Sequence, residues 1–89
     1  MSGLETVGVI AGNGVYPRTF VEGARRAGVR RLVVAAFTGE TQSELESLVD
    51  ACAWFRVGQL SKLIKFFKNE SVEKAVMVGQ IAPRNLFDL

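Results

Sequence analysis

The chain has 89 residues, enough for one small domain, and 48% of them are apolar, which excludes a disordered chain. A domain of this size buries only roughly 60–65% of its unfolded surface, so its stability margin is thin. The net charge is +2 and there is no histidine, which removes the commonest general base, the Ser-His and Cys-His nucleophile arrangements, and most zinc sites.

The single cysteine, Cys52, has no internal partner and fits a reducing compartment. No apolar run approaches the ~20 residues needed to span a bilayer. The N-terminus lacks the basic region and long apolar stretch of a signal peptide. These features lead us to expect a cytoplasmic protein. Basic residues are spread along the chain, so no nucleic-acid partner is expected.

In chain order, Met1 to Thr6 is a polar lead-in. Val7 to Ala11 is apolar on both faces, as in a parallel strand covered on both sides. A turn follows at Gly12-Asn13-Gly14. Pro17 to Ala27 reads as the first helix, with Phe20, Val21, Ala24 and Ala27 at helical spacing and Gly28 as its stop. Leu32 to Phe37 is the second strand, and Thr38 to Thr41 the loop at its carboxyl end. Ser43 to Val49 predicts a short helix with Leu45, Leu48 and Val49 inward. Ala53 to Val57 is a short third strand, ended by Gly58, with Trp54 and Phe55 in the core. Gln59 to Lys68 is the second long helix. Its Leu60, Leu63, Ile64 and Phe67 recur at i, i+3, i+4 and i+7. Asn69-Glu70-Ser71 is the exit turn, Lys74 to Gly79 the fourth strand, and Gln80 to Leu89 the loop after it.

This alternation is the pattern of an α/β fold: a Rossmann-like open parallel sheet of four strands with helices on both faces. Crossovers in such a sheet are right-handed, and the expected strand order is 3-2-1-4, the start of a Rossmann-like sheet. The four loops at the strand carboxyl ends then share one edge: Gly12–Pro17, Thr38–Thr41, Gly58–Ser61 and Gly79–Asn85. Ligands of such sheets bind there, beside the point where strand order reverses. Strands 1 and 4 flank that point, which picks out Gly12–Gly14 and Gly79–Gln80.

A strand, glycine turn and helix start is also the arrangement that holds phosphates on backbone N–H groups. A dinucleotide site wants a third glycine where Pro17 stands, and an acidic residue at the second strand's tip, which here is Phe37-Thr38-Gly39. No Gly-Lys-Ser/Thr follows, so the turn is not a P-loop. It serves equally as a ligand loop or as a tight structural connection. Of the carboxylates only Glu40 and Asp88 fall on the ligand edge, which is too few for a divalent-metal centre. The remaining acids read as solvated helix charges. Arg25, Arg26, Arg30 and Arg31 read as a solvated surface complementing the helix dipole. Lys62, Lys65 and Lys68 read as a wet helix face that also favours anionic lipid headgroups. Arg84 and Asn85 follow a strand carboxyl end, and Arg binds phosphate or carboxylate bidentately. The ending, with Leu86, Phe87 and Leu89, leaves apolar residues uncovered. That leads us to expect a fragment or a chain that depends on a partner.

Three stretches resemble the N-terminal domain of the LpxI-type UDP-2,3-diacylglucosamine pyrophosphatases. They are Val9 to Gly14 with Pro17, Gly58 to Leu63, and Val78-Gly79-Gln80 with Pro83, Arg84 and Leu86. Asn13 stands where relatives often carry another glycine, and Asn tolerates the left-handed conformation. The resemblance covers essentially the whole chain. It implies a two-domain cytoplasmic enzyme of Gram-negative lipid A synthesis, using magnesium or another divalent metal. That enzyme hydrolyses UDP-2,3-diacylglucosamine to 2,3-diacylglucosamine 1-phosphate and UMP.

On this resemblance, residues 1–89 are the substrate-binding N-terminal domain, inactive alone, and the catalytic carboxylate lies in a C-terminal domain with no counterpart here. No catalytic or metal-ligating residue maps onto the chain, and no cofactor is expected in it. Gly12, Asn13, Gly14, Gly79 and Gln80, with Arg84 and Asn85, are the expected substrate contacts. The expected partners are the nucleotide-sugar lipid, the protein's own C-terminal domain, further copies in a homo-oligomer, and peripheral contact with the inner membrane. Two other readings remain open: a dinucleotide-binding domain of an oxidoreductase, and a non-catalytic assembly module.

Overall fold

The computed structural model describes residues 6–79. Its elements are β1 (Thr6–Ala11), α1 (Tyr16–Arg26), β2 (Arg31–Phe37), a 3-10 helix (Ser43–Leu48), β3 (Ala51–Phe55), α2 (Leu60–Asn69) and β4 (Ala75–Val78). The four strands form one sheet in the order β3-β2-β1-β4. Every neighbouring pair is parallel. Fold class and strand order are therefore those expected from the alternation of elements.

β2 lies at the centre, and its six residues Leu32–Phe37 are all buried. Its side chains alternate between two cores, as the period of 2 requires. Leu32, Val34 and Ala36 join Val9, Ala11, Val21, Ala24 and Leu45 on the α1 side. Val33, Ala35 and Phe37 join Phe55, Leu63 and Phe67 on the α2 side. Gly8 sits beneath α2. A Cβ there would come within 2.6 Å of Val72 Cγ1, so the helix and its exit turn lie close on β1 only because this residue has no side chain.

Both helices end in the same hydrogen-bonded device. At α1, Gly28 N–H donates to the Arg25 carbonyl (3.1 Å) and Val29 N–H to the Ala24 carbonyl (3.0 Å), the pattern that satisfies a helix's last carbonyls. At α2, Ser71 N–H donates to Lys68 (3.1 Å) and Val72 N–H to Phe67 (2.9 Å). Here Ser71 takes the left-handed position, at φ +63°.

Element bounds lie within one residue of the sequence expectation except at β3. β3 runs from Ala51 to Phe55 rather than from Ala53 to Val57. Asp50 sets this start: its N–H donates to the Leu32 carbonyl at 3.0 Å, and Ala51 pairs with Val33. The expected short helix before it is present, as a 3-10 helix over Ser43–Leu48. Leu45 N–H bonds back three residues to Gln42, and Ser47 Oγ takes up the Glu44 carbonyl at 2.9 Å. Six residues with such local competition do not sustain an α-helix. In α2, Leu63 and Phe67 are buried but Leu60 and Ile64 are exposed. The apolar stripe is wider than the sheet it covers.

The charged residues around the end of α1 also do more than face water. Arg25 Nη1 donates to the Arg30 carbonyl at 2.9 Å, and Nη2 to Asp50 Oδ2 at 2.8 Å. The same Asp50 oxygen accepts from Leu32 N–H at 2.7 Å. Arg31 reaches across to Glu70, donating to its carbonyl at 2.8 Å and pairing with its carboxylate. Arg25 and Asp50 thus tie α1, β2 and β3 together at the amino edge of the sheet.

Candidate functional site

The carboxyl edge of the sheet gathers the turns after β1, β2 and β4. The end of β1 meets the end of β4 where Gly12 N–H donates to the Val78 carbonyl at 2.7 Å. Gly79 then turns at φ +101°. A Cβ at Gly79 would stand 2.8 Å from the Asn13 carbonyl oxygen and 3.0 Å from Gly12 C. The fourth strand's glycine therefore lies directly on the first strand's glycine turn. Two motifs 65 residues apart in sequence meet at the point where strand order reverses.

Within the first turn, Gly14 takes the positive φ of +91°; among the described residues Gly12 and Asn13 are not in that region. Asn13 serves the turn differently, with its Oδ1 accepting from Gly14 N–H at 2.7 Å. Two amides of the turn are thus engaged, one by the sheet and one by this side chain. α1 begins immediately after. Its N-cap, Val15, supplies no side-chain cap, and its first turn holds no acidic residue. The first intrahelical bond is Thr19 N–H to the Val15 carbonyl at 3.1 Å. Helix geometry leaves the earlier amides without intrahelical acceptors, and Pro17 has none to leave. The first turn is thus electropositive, and the exposed Val15 and Tyr16 side chains stand beside it.

A residue that the sequence placed only at the end of a loop proves central to this edge. Thr41 is a buried polar side chain. Its Oγ1 accepts from Phe37 N–H at 2.8 Å and donates to the Ala11 carbonyl at 2.6 Å. The hydroxyl pins the loop after β2 to the last residue of β1. Beside it a narrow crease runs between Gly14, Pro17 and Arg18 on one wall and Thr41, Gln42 and Glu44 on the other. Arg18 pairs with Glu22 along α1 at 3.3 Å. The only advance signal for Thr41 was its position four residues past an apolar strand.

Of the expected site residues, Gly12, Asn13, Gly14 and Gly79 come together at this edge. Gln80, Arg84 and Asn85 lie outside the described residues, as does Asp88. Cys52 is half-buried and far from nucleophilic: burial, and secondarily the charge of Glu46, push its thiol up to about 11. Among the described residues no three His, Cys, Asp or Glu side chains come together in a way that could hold a metal ion. The donor set among the described residues does not fit a divalent metal. No helix among the described residues is long and apolar enough to cross a membrane.

These features define an open parallel α/β domain whose glycine turns meet at the switch point of the sheet. A family model described as the LpxI N-terminal domain matches residues 6–89, and the chain belongs to that family. It is accordingly an LpxI-like protein of lipid A biosynthesis. No curated protein and no solved structure matches the chain.

Proposed function

We propose that this chain is the substrate-binding domain of an LpxI-type pyrophosphatase. It holds UDP-2,3-diacylglucosamine while a metal-dependent C-terminal domain hydrolyses it to 2,3-diacylglucosamine 1-phosphate and UMP. The contact of Gly79 with the Gly12–Asn13 turn carries this reading, since it unites two motifs of the family at the edge where open α/β sheets bind ligands. The uncapped, acid-free first turn of α1 favours an anionic oxygen. Gln80, Arg84 and Asn85 add polar contacts. Breaking the phosphoanhydride is the work of the other domain and its magnesium or similar ion. The assembled enzyme is cytoplasmic and homo-oligomeric, and it meets its lipid substrate at the inner membrane.

Two measurements test this. Titrating UDP-2,3-diacylglucosamine into the labelled chain should move the amide resonances of Gly12 to Tyr16 and of Gly79, and leave Val33 to Ala36 unmoved. Adding a separately produced C-terminal domain of the family should give metal-dependent UMP release that the chain alone lacks. Release by the chain alone at an enzymatic rate, or tight binding of NAD or NADP at the same edge, would overturn the assignment.

A further inference from the structure

The peptide between Ala11 and Gly12, where β1 enters the glycine turn, is held from both sides. Its N–H, on Gly12, donates to the Val78 carbonyl of β4 at 2.7 Å. A trans peptide sends its carbonyl the opposite way, here toward β2. Ala11 pairs with Ala36, the last pair in the β1–β2 register. A parallel ladder continued by one rung would join the Ala11 carbonyl directly to Phe37 N–H. The Thr41 hydroxyl stands in that rung instead. It accepts from Phe37 N–H at 2.8 Å and donates to the Ala11 carbonyl at 2.6 Å. One oxygen atom thus separates, and joins, the carboxyl ends of the two central strands.

The turn after β2 carries the hydroxyl to this place. Glu40 N–H and Thr41 N–H both donate to the Phe37 carbonyl, at 3.0 Å each. Gly39, third in the Phe37–Glu40 turn, takes φ +85°, the backbone that lets such a turn close tightly. Thr38 N–H donates to the Phe55 carbonyl of β3 at 2.9 Å and anchors the other side of the turn. Thr41 therefore returns over the end of β2, where it is buried. A hydroxyl can accept and donate at once. An aliphatic side chain in its place would leave a buried N–H and a buried carbonyl without partners.

We propose that Thr41 is the positioning residue of the candidate site. Its hydroxyl and the Val78 carbonyl clamp the Ala11–Gly12 peptide between β2 and β4. Because a peptide is planar, the clamp sets the direction in which the chain enters Gly12–Gly14 and the first turn of α1. The later part of the turn is held by Asn13 Oδ1 on the Gly14 amide and by Gly79 against the Asn13 carbonyl. Thr41 supplies the only one of these holds that comes from the β2 side. It acts on a bound anion through the peptide, and not by touching it. The inference rests on the substrate-binding reading of the turn.

Three variants of the chain test it. Thr41→Val removes the hydroxyl, Thr41→Ser keeps it, and Leu63→Ala weakens the opposite core without touching the turn. In hydrogen exchange of the free chain, Thr41→Val should lower the protection of the Gly12 amide, relative to that of Val34, about tenfold, the scale of a lost buried hydrogen bond. Thr41→Ser should preserve that ratio, and Leu63→Ala should lower both amides alike. Titrated with UDP-2,3-diacylglucosamine, Thr41→Val should bind about tenfold more weakly than the parent, and Thr41→Ser and Leu63→Ala within about threefold of it. Thr41→Ala, with the same readings expected, replaces Thr41→Val should the latter not fold. The proposal is overturned by an unchanged Gly12 ratio, by unchanged affinity once the hydroxyl is gone, by failure of Thr41→Ser to restore either, or by an equal loss of affinity in Leu63→Ala. A parent chain that binds no nucleotide sugar, yet loses Gly12 protection in Thr41→Val, would sink the substrate reading and leave the clamp on the turn standing.

Discussion

Two glycines of the candidate site carry different constraints. Gly14 needs only its left-handed φ of +91°, for nothing lies within 4 Å of where a Cβ would stand. Gly79 needs both its φ of +101° and the absence of a side chain, because the Asn13 carbonyl oxygen would be 2.8 Å away. Gly14→Ala should therefore cost about 1 kcal/mol of backbone strain, and Gly79→Ala about 2–3 kcal/mol, since the clash is with backbone that cannot swing aside. Denaturant unfolding of the two variants reads the difference; equal losses would show that the β4 turn does not rest on the β1 turn. Asn13 and Thr41 act through hydrogen bonds rather than space. Asn13 was readable as a residue tolerant of a left-handed turn, yet it caps the Gly14 amide with its side chain. Thr41 gave almost no signal, because a hydroxyl that joins Phe37 N–H to the Ala11 carbonyl is defined by two strands, not by its neighbours in sequence.

At the scale of elements, helical periodicity located both long helices but not how deeply each apolar position sinks. Leu63 and Phe67 enter the α2-side core, while Leu60 and Ile64, on the same stripe, do not. Leu63→Ala should destabilise by about 2–5 kcal/mol through lost burial and a residual cavity. Lys65→Ala, on the exposed side of the same helix, should stay within about 0.5 kcal/mol. Thermal unfolding followed by circular dichroism separates them, and comparable losses would mean that α2 packs through a different face. The Ser43–Leu48 segment shows the reverse limit. Its Leu45 is buried as the pattern asked, but its length and its Ser47–Glu44 bond decide for a 3-10 rather than an α-helix.

For the molecule as a whole, the amino edge holds the layers together. Asp50 joins β3 to Leu32 of β2 and to Arg25 of α1. Its carboxyl is held below its ordinary value of 3.8, chiefly by the Leu32 N–H, against the opposing effect of burial, and then by Arg25. A depressed folded pKa contributes stability that is complete only well above the ordinary value and is lost as pH falls through the folded value. Acid unfolding should therefore be less steep in Asp50→Asn than in the parent as pH falls from about 5 through the folded value, with both studied at the same ionic strength. Identical acid limbs would mean that Asp50 titrates alike in the folded and unfolded chains. Solvent reaches this pair, so its contribution is modest and should shrink further in high salt.

The sequence by itself determined the alternation of strands and helices, the parallel order 3-2-1-4, the glycine turn at the switch point and the family. The alternation and the turn follow from local periodicity and glycine placement, the strand order from the likeness of that alternation to a Rossmann-like sheet, and the family from the resemblance of its ordered motifs. Only the tertiary structure decided where β3 begins, which flank of α2 stays bare, which turn amides are already engaged, and that Gly79 rests on Gly12 and Asn13. Each of these is set by contact between residues distant in sequence, where pairing register and close packing outweigh local preference.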